Sequence, residues 1–203
     1  MKLLSAARFI TAFILLLTSI QSYADQWYHV ELIVFEQLST ITDEQSPPMS
    51  DAITTGSLTP GMATSLIQPA TNNTLNSIAS RLSSSSQYRV HYHQSWQQYI
   101  MRKGSAKAVN IISSDGLVEG TVRLDKATYL HATVDLWLKK NTGQVNSWSD
   151  ASSKAATINA PRNPHLVESR RIRSDELDFF DHPKMGVLLK ITPIKMPAAV
   201  QAE

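Results

Sequence analysis

The sequence predicts an α+β fold, a mainly antiparallel sheet with one or two helices packed on one face. Three observations lead there: several runs alternate apolar and polar residues at the two-residue period of a strand, one segment repeats its apolar residues at helical spacing, and clusters of turn-forming residues separate them.

The first element is WYHVELIVFE at 27–36. Both of its alternating sets become apolar toward the end, which predicts a strand buried on both faces. Residues 39–71 then turn polar, with Pro47, Pro48, Pro60, Gly61 and Pro69 among Ser and Thr, and read as a long loop. Asn72 or Asn73 would cap a helix whose stripe is Leu75, Ile78, Ala79 and Leu82, ended by the serine run 83–86. Strand alternation returns at 88–94, with Tyr88, Val90 and Tyr92 set against Arg89, His91 and His93. Shorter apolar pieces at 108–112 and 117–124 flank the turn residues Ser114, Asp115 and Gly116. YLHATVDLWLK at 129–139 is the clearest antiparallel strand, and a second polar loop, 141–164, follows it. Residues 166–173 read as a strand carrying Arg170, Arg171 and Arg173, residues 174–179 as a short helical turn, and 185–194 as a last strand. The tail 198–203 is expected to be flexible. A ferredoxin-like arrangement with an added hairpin suits this order, in a single domain spanning 25–197.

The chain opens with a targeting signal. Lys2 and Arg8 precede an apolar run, 9–20, that falls short of the roughly 20 residues a spanning helix needs. Ser22 and Ala24 then present the small-residue pattern that signal peptidase cuts, so residues 1–24 read as a cleavable signal peptide, removed after Ala24. Losing Lys2 and Arg8 leaves 17 of the 19 Lys and Arg against 17 Asp and Glu. A mature chain so balanced gives no electrostatic case for nucleic acid or an anionic membrane surface. With no cysteine, there is no disulfide, thiolate metal site, cysteine nucleophile or lipid-modified cysteine. The expected product is an exported protein, not inserted in the membrane after cleavage.

Hydrolase signatures are missing: there is no Gly-x-Ser-x-Gly elbow, no Ser-x-x-Lys and no His-Glu-x-x-His. A carboxylate pair such as Glu119 and Asp135, if brought to about 5–9 Å, would suit glycoside cleavage. His91 and His93 would share a strand face and, with His131, make a metal site, although two histidines at this spacing are common without one. No cofactor is expected. For a wall polymer, Trp96, Tyr99, Trp137 and Trp148 would offer flat faces, and Arg170, Arg171 and Arg173 bidentate donors to carboxylates. Against this, Trp96 and Trp137 also suit a core, and the arginines have Glu168, Asp175 and Glu176 nearby as ion-pair partners. On a strand, Arg171 and Arg173 share one face while Arg170 points to the other.

Four segments, taken in order, carry a family resemblance: WYHVELIVFE at 27–36, YRVHYHQSWQQ at 88–98, EGTVRLDKATYLHATVDLWL at 119–138 and RRIRSDELDFFDHPKMGVLLKITP at 170–193. Together they resemble the CsiV family of periplasmic peptidoglycan-binding proteins of gammaproteobacteria. The resemblance implies a non-catalytic protein of the periplasm that binds peptidoglycan and supports cell-wall synthesis and cell shape through the lipoprotein activator LpoA and its class A penicillin-binding protein. The competing expectations are a wall-acting glycosidase using a carboxylate pair, and an envelope adaptor that touches only other proteins.

Overall fold

The computed structural model describes residues 27–39, 46–49, 56–70, 72–139 and 162–201. The expected signal peptide, Trp148 and most of the second polar loop lie outside the described residues. The strands are β1 (Trp27–Gln37), β2 (Ile67–Pro69), β3 (Tyr88–Tyr99), β4 (Ala108–Ile112), β5 (Val118–Lys126), β6 (Leu130–Leu138), β7 (His165–Ile172), β8 (Leu177–His182) and β9 (Met185–Ile194). The helices are α1 (Asn76–Ser83) and the short α2 (Ala198–Gln201). The α+β, mainly antiparallel class is what the chain adopts.

The strands divide between two sheets, a five-stranded one ordered β2-β3-β1-β9-β8 and a four-stranded one ordered β4-β5-β6-β7. Every named strand pair is antiparallel. This corrects the ferredoxin-like arrangement. There the strand after the first helix runs parallel to the strand before it, whereas β3 returns antiparallel to β1 and directly beside it.

Inward residues of both sheets form one core. Tyr28, Val30, Leu32 and Val34 of β1 meet Val187, Leu189 and Ile191 of β9, and across the gap Val122, Leu124, Val134 and Leu136 of β5 and β6. Packing on both sides explains why β1 is apolar on both faces. Its other set, Ile33 and Phe35, lies under Leu75, Ile78, Ala79 and Leu82 of the α1 segment, so the layers are helix, sheet, sheet.

The stripe anticipated for α1 is the one observed, but its N-terminus is capped from elsewhere. Leu75 occupies the N-cap position and makes no side-chain cap. The carboxylate of Glu31, wholly buried on β1, instead accepts from the Leu75 amide at 2.9 Å and from the Thr74 amide and hydroxyl, each at 2.7 Å. His93 Nε2 lies 2.8 Å from the same carboxylate. Burial pushes the Glu31 pKa up, but the hydrogen bonds from His93, Leu75 and Thr74 outweigh it and hold it below the ordinary glutamate value.

β3 changes phase along its length. The register to β1 slips between Val34 and Phe35, so Tyr92 pairs with Val34 and Val90 with Phe35, leaving His91 as the extra residue of a bulge. Before it, Tyr88 and Val90 serve the helix layer. After it, Tyr92 and Trp96 serve the core between the sheets.

Three expected segments differ locally. Residues 174–179, read as a helical turn, form a turn with Asp175 at φ 64° and then β8, whose Phe180 is wholly buried. Part of the expected loop 39–71 is ordered pairing: β2 joins β3, and Leu58 adds to β4 in parallel at Val109. Residues 198–201, in the expected flexible tail, form α2.

Candidate functional site

The residues singled out for binding fall into two groups. Trp96 and Tyr99 belong to the five-stranded sheet. Trp96 is wholly buried in the core, with its indole N–H donating to Gln98 Oε1 at 3.0 Å, so it offers no face to a ligand. Tyr99 is half-buried and meets Trp27 edge-on, the ring centroids 6.0 Å apart. Neither joins the arginines.

Trp137 and the arginines lie on the four-stranded sheet. Alternation turns Leu130, Ala132, Val134 and Leu136 of β6 inward, and leaves His131, Thr133, Asp135 and Trp137 on the outer face. The β6–β7 register then sets Trp137 opposite His165, Asp135 opposite Val167, Thr133 opposite Ser169 and His131 opposite Arg171. β5 extends these rows with Glu119, Thr121 and Arg123. Trp137 is only 5% exposed and carries His165 stacked on it, centroids 3.6 Å apart and planes 6° from parallel. His165 Nε2 is also 2.7 Å from Asp135 Oδ1. The Thr133 and Ser169 hydroxyls are hydrogen-bonded at 2.9 Å.

The basic triplet is split by strand alternation. Arg170 turns inward toward β8, its guanidinium 4.2 Å from the Phe180 ring centre, and donates from Nη2 to the Phe179 carbonyl at 2.7 Å. Glu168 and Asp178 stand 3.6 and 3.5 Å from it. Burial raises the Asp178 pKa despite the opposing pull of Arg170. Arg171 turns outward and lies flat over the ring of Tyr129, 3.3 Å from its centre, with no carboxylate partner among the described residues. Arg173, just past β7, is loosely paired with Glu176 at 3.4 Å, both largely exposed. Arg171, Ile172 and Arg173 line a shallow notch with Glu176 and Asp178. Arg171 and Arg173 thus border one notch, whereas the Arg170 guanidinium lies against Phe180. The residue missed from the sequence is Tyr129, half exposed, whose role depends on the β6–β7 pairing that brings Arg171 over it.

The bulge also rearranges the histidines. His91, its side chain wholly enclosed, has Nδ1 2.6 Å from Asp115 and Nε2 3.3 Å from Glu36, tying the β4–β5 turn to the end of β1. His93 points to Glu31 in the helix layer. The shared face expected for a metal pair is thus lost, and among the described residues no group of His, Asp and Glu is arranged to hold a metal ion. Glu119 and Asp135 do reach the same outer face, each with a partner there: Glu119 pairs with Lys139, and Asp135 contacts the His165 ring.

Comparison with known families decides the identity. The model of the CsiV family, described as peptidoglycan-binding protein, matches residues 7–194, nearly the whole chain. The chain belongs to the CsiV family. No curated protein and no solved structure matches it. Membership in CsiV associates the chain with the cell envelope, and among the described residues no helix is long and apolar enough to cross a membrane.

Proposed function

We propose that this is a non-catalytic peptidoglycan-binding protein of the periplasm, exported by cleavage of residues 1–24, which supports wall synthesis through the lipoprotein activator LpoA and its class A penicillin-binding protein. The observation that carries this reading is the family match across residues 7–194. The outer face of the four-stranded sheet supports it. It carries the Thr133–Ser169 hydroxyl pair, the exposed Val167, the engaged acids Glu119 and Asp135, and Arg171 seated on Tyr129, with Arg171 and Arg173 as the proposed ligand-contacting residues. A pull-down with purified sacculi tests it: the mature protein sediments with the wall, and a protein left wholly in the supernatant beside a binding control ends the proposal.

The partner part of this reading draws on a different surface. Leu177 and Phe179 are each 43% exposed, two residues apart on the edge strand β8, and so lie side by side. Adjacent exposed apolar side chains at a sheet edge suit contact with another protein. Capture of purified LpoA by the immobilised chain, reduced by Leu177→Ser, is the expected result. Capture without any sacculus retention would instead favour an adaptor that leaves the wall alone.

A further inference from the structure

Resting on the peptidoglycan reading, we infer that the outer face of the four-stranded sheet recognises the wall through the free carboxylates of its stem peptides, received at Arg171, and not by stacking against its sugars.

The argument begins with what the face withholds. Sugar binding by stacking needs an open aromatic plane, and the described candidates do not supply one. Trp96 is 0% exposed, Trp137 lies beneath His165, and Tyr99 is half-buried against Trp27 in the other sheet. The one exposed aromatic ring on this face among the described residues, Tyr129, has its plane covered by the Arg171 guanidinium at 3.3 Å. A sugar would have to displace that contact.

What the face presents is unbalanced charge, sorted along the sheet. At one end the acids are engaged, Glu119 by Lys139 and Asp135 by a contact to the His165 ring. At the other end Arg123 and Arg171 have no carboxylate partner among the described residues, and the Thr133–Ser169 hydroxyl pair lies between their positions. Arg123 Nε is moreover buried without a hydrogen-bond partner. The acids bordering this end are held by other cations or enclosed: Glu176 and Asp178 line the same notch as Arg171 but pair with Arg173 and Arg170, and Asp125, opposite His131, is buried.

Seating on Tyr129 holds the Arg171 guanidinium against the ring, and no ion pair among the described residues engages its donors. A planar fork held there matches the two oxygens of a carboxylate, and its weak hydration lowers the cost of exchanging water for the ligand. Glycan strands are neutral along the sugar chain itself, whereas the stem peptides end in carboxylates. The charge on this face therefore selects the peptide.

Three preparations separate the possibilities: intact sacculi, sacculi carboxyl-amidated with carbodiimide and methylamine, and immobilised glycan strands stripped of stem peptides by an amidase, with the lactyl carboxylates that this cleavage frees capped by the same carbodiimide and methylamine. The wild-type chain is expected to bind intact sacculi and to lose at least tenfold in retention on both treated forms. Arg171→Ala should reproduce that loss on intact sacculi, and Arg171→Lys most of it, since lysine keeps the charge but not the fork. Both variants are expected to unfold at the wild-type temperature. Undiminished retention on amidated sacculi or on the stripped, capped glycan strands would overturn the carboxylate inference while leaving peptidoglycan binding in place. So would full retention by Arg171→Ala. Absence of binding to intact sacculi would remove the underlying reading and the inference with it.

Discussion

Glu31 and His93 meet diagonally across the β1–β3 pairing, 2.8 Å between Oε1 and Nε2, and the same carboxylate accepts the two backbone amides that open α1. A side chain in the middle strand of a sheet thus supplies the cap of a helix 43 or 44 residues downstream. Local sequence holds the helix stripe, but the attachment of the helix to the sheet depends on this one buried acid.

Glu31→Gln is expected to destabilise the protein by about 2–4 kcal/mol, because hydrogen bonds to a charged acceptor are worth roughly 1.5–3 kcal/mol each and the new amide sets a donor against a donor. Urea unfolding measures this. An unchanged midpoint would show that α1 docks without Glu31.

Acid should loosen the His91 latch. Burial raises the Asp115 pKa, but hydrogen bonds from Ser113, His91 and Leu117 outweigh it and hold the group down to about 2, against an ordinary 3.8. A carboxylate depressed by folding stabilises the native state fully above its unfolded pKa, and that contribution is lost as pH falls through the folded value. The window is therefore roughly pH 4 down to 2. Because Asp115 is partly exposed, solvent screening reduces the effect to on the order of 1 kcal/mol. Asp115→Asn should flatten the stability profile in that window, as followed by unfolding at a series of pH values.

Gly186→Ala is expected to cost about 1–3 kcal/mol by overpacking. A methyl there would collide with the rings of Phe35 and Phe179, which stack across the glycine with centroids 6.2 Å apart and planes 7° from parallel. Replacing Phe179 by Ala in the same chain should recover part of the loss. A double-mutant cycle checks this.

Trp96→Ala should destabilise by about 3–5 kcal/mol, as expected for emptying a wholly buried aromatic site. The result belongs to folding alone: any sacculus binding lost by this variant should return when measured at a temperature where it is fully folded.

Much of the fold is legible in the sequence where one periodicity holds over a whole element. β1 reads as buried on both faces and lies between a helix and a second sheet. The 129–139 run is β6 almost to its ends, and the stripe of Leu75, Ile78, Ala79 and Leu82 is the α1 contact surface. The remainder depends on pairing partners that no local pattern names. Alternation says which residues share a face but not which sheet a strand joins, so two sheets read as one. The bulge at His91 sends His91 and His93 to opposite faces, although their spacing argues for one. LDFFDH has acids near a helix-like start, and only the pairing of Phe180 with Val187 reveals a strand. The same holds for the candidate site. The division of the arginines between faces follows from alternation, but the Tyr129 seat under Arg171 and the burial of Trp96 are products of register and packing.

Arg170 and Arg171 stand one peptide bond apart and answer to different demands. The first holds the margin of one sheet to the other through Phe179 and Phe180, while the second faces solvent. Two adjacent codons are thereby exposed to unrelated selection: a lysine drifting into the first position is tolerated or lost according to whether the chain still folds, and in the second according to what the chain can hold. Replacing the basic triplet as a block would merge those two effects, and a protein with an opened seam would pass for one that had merely lost its ligand.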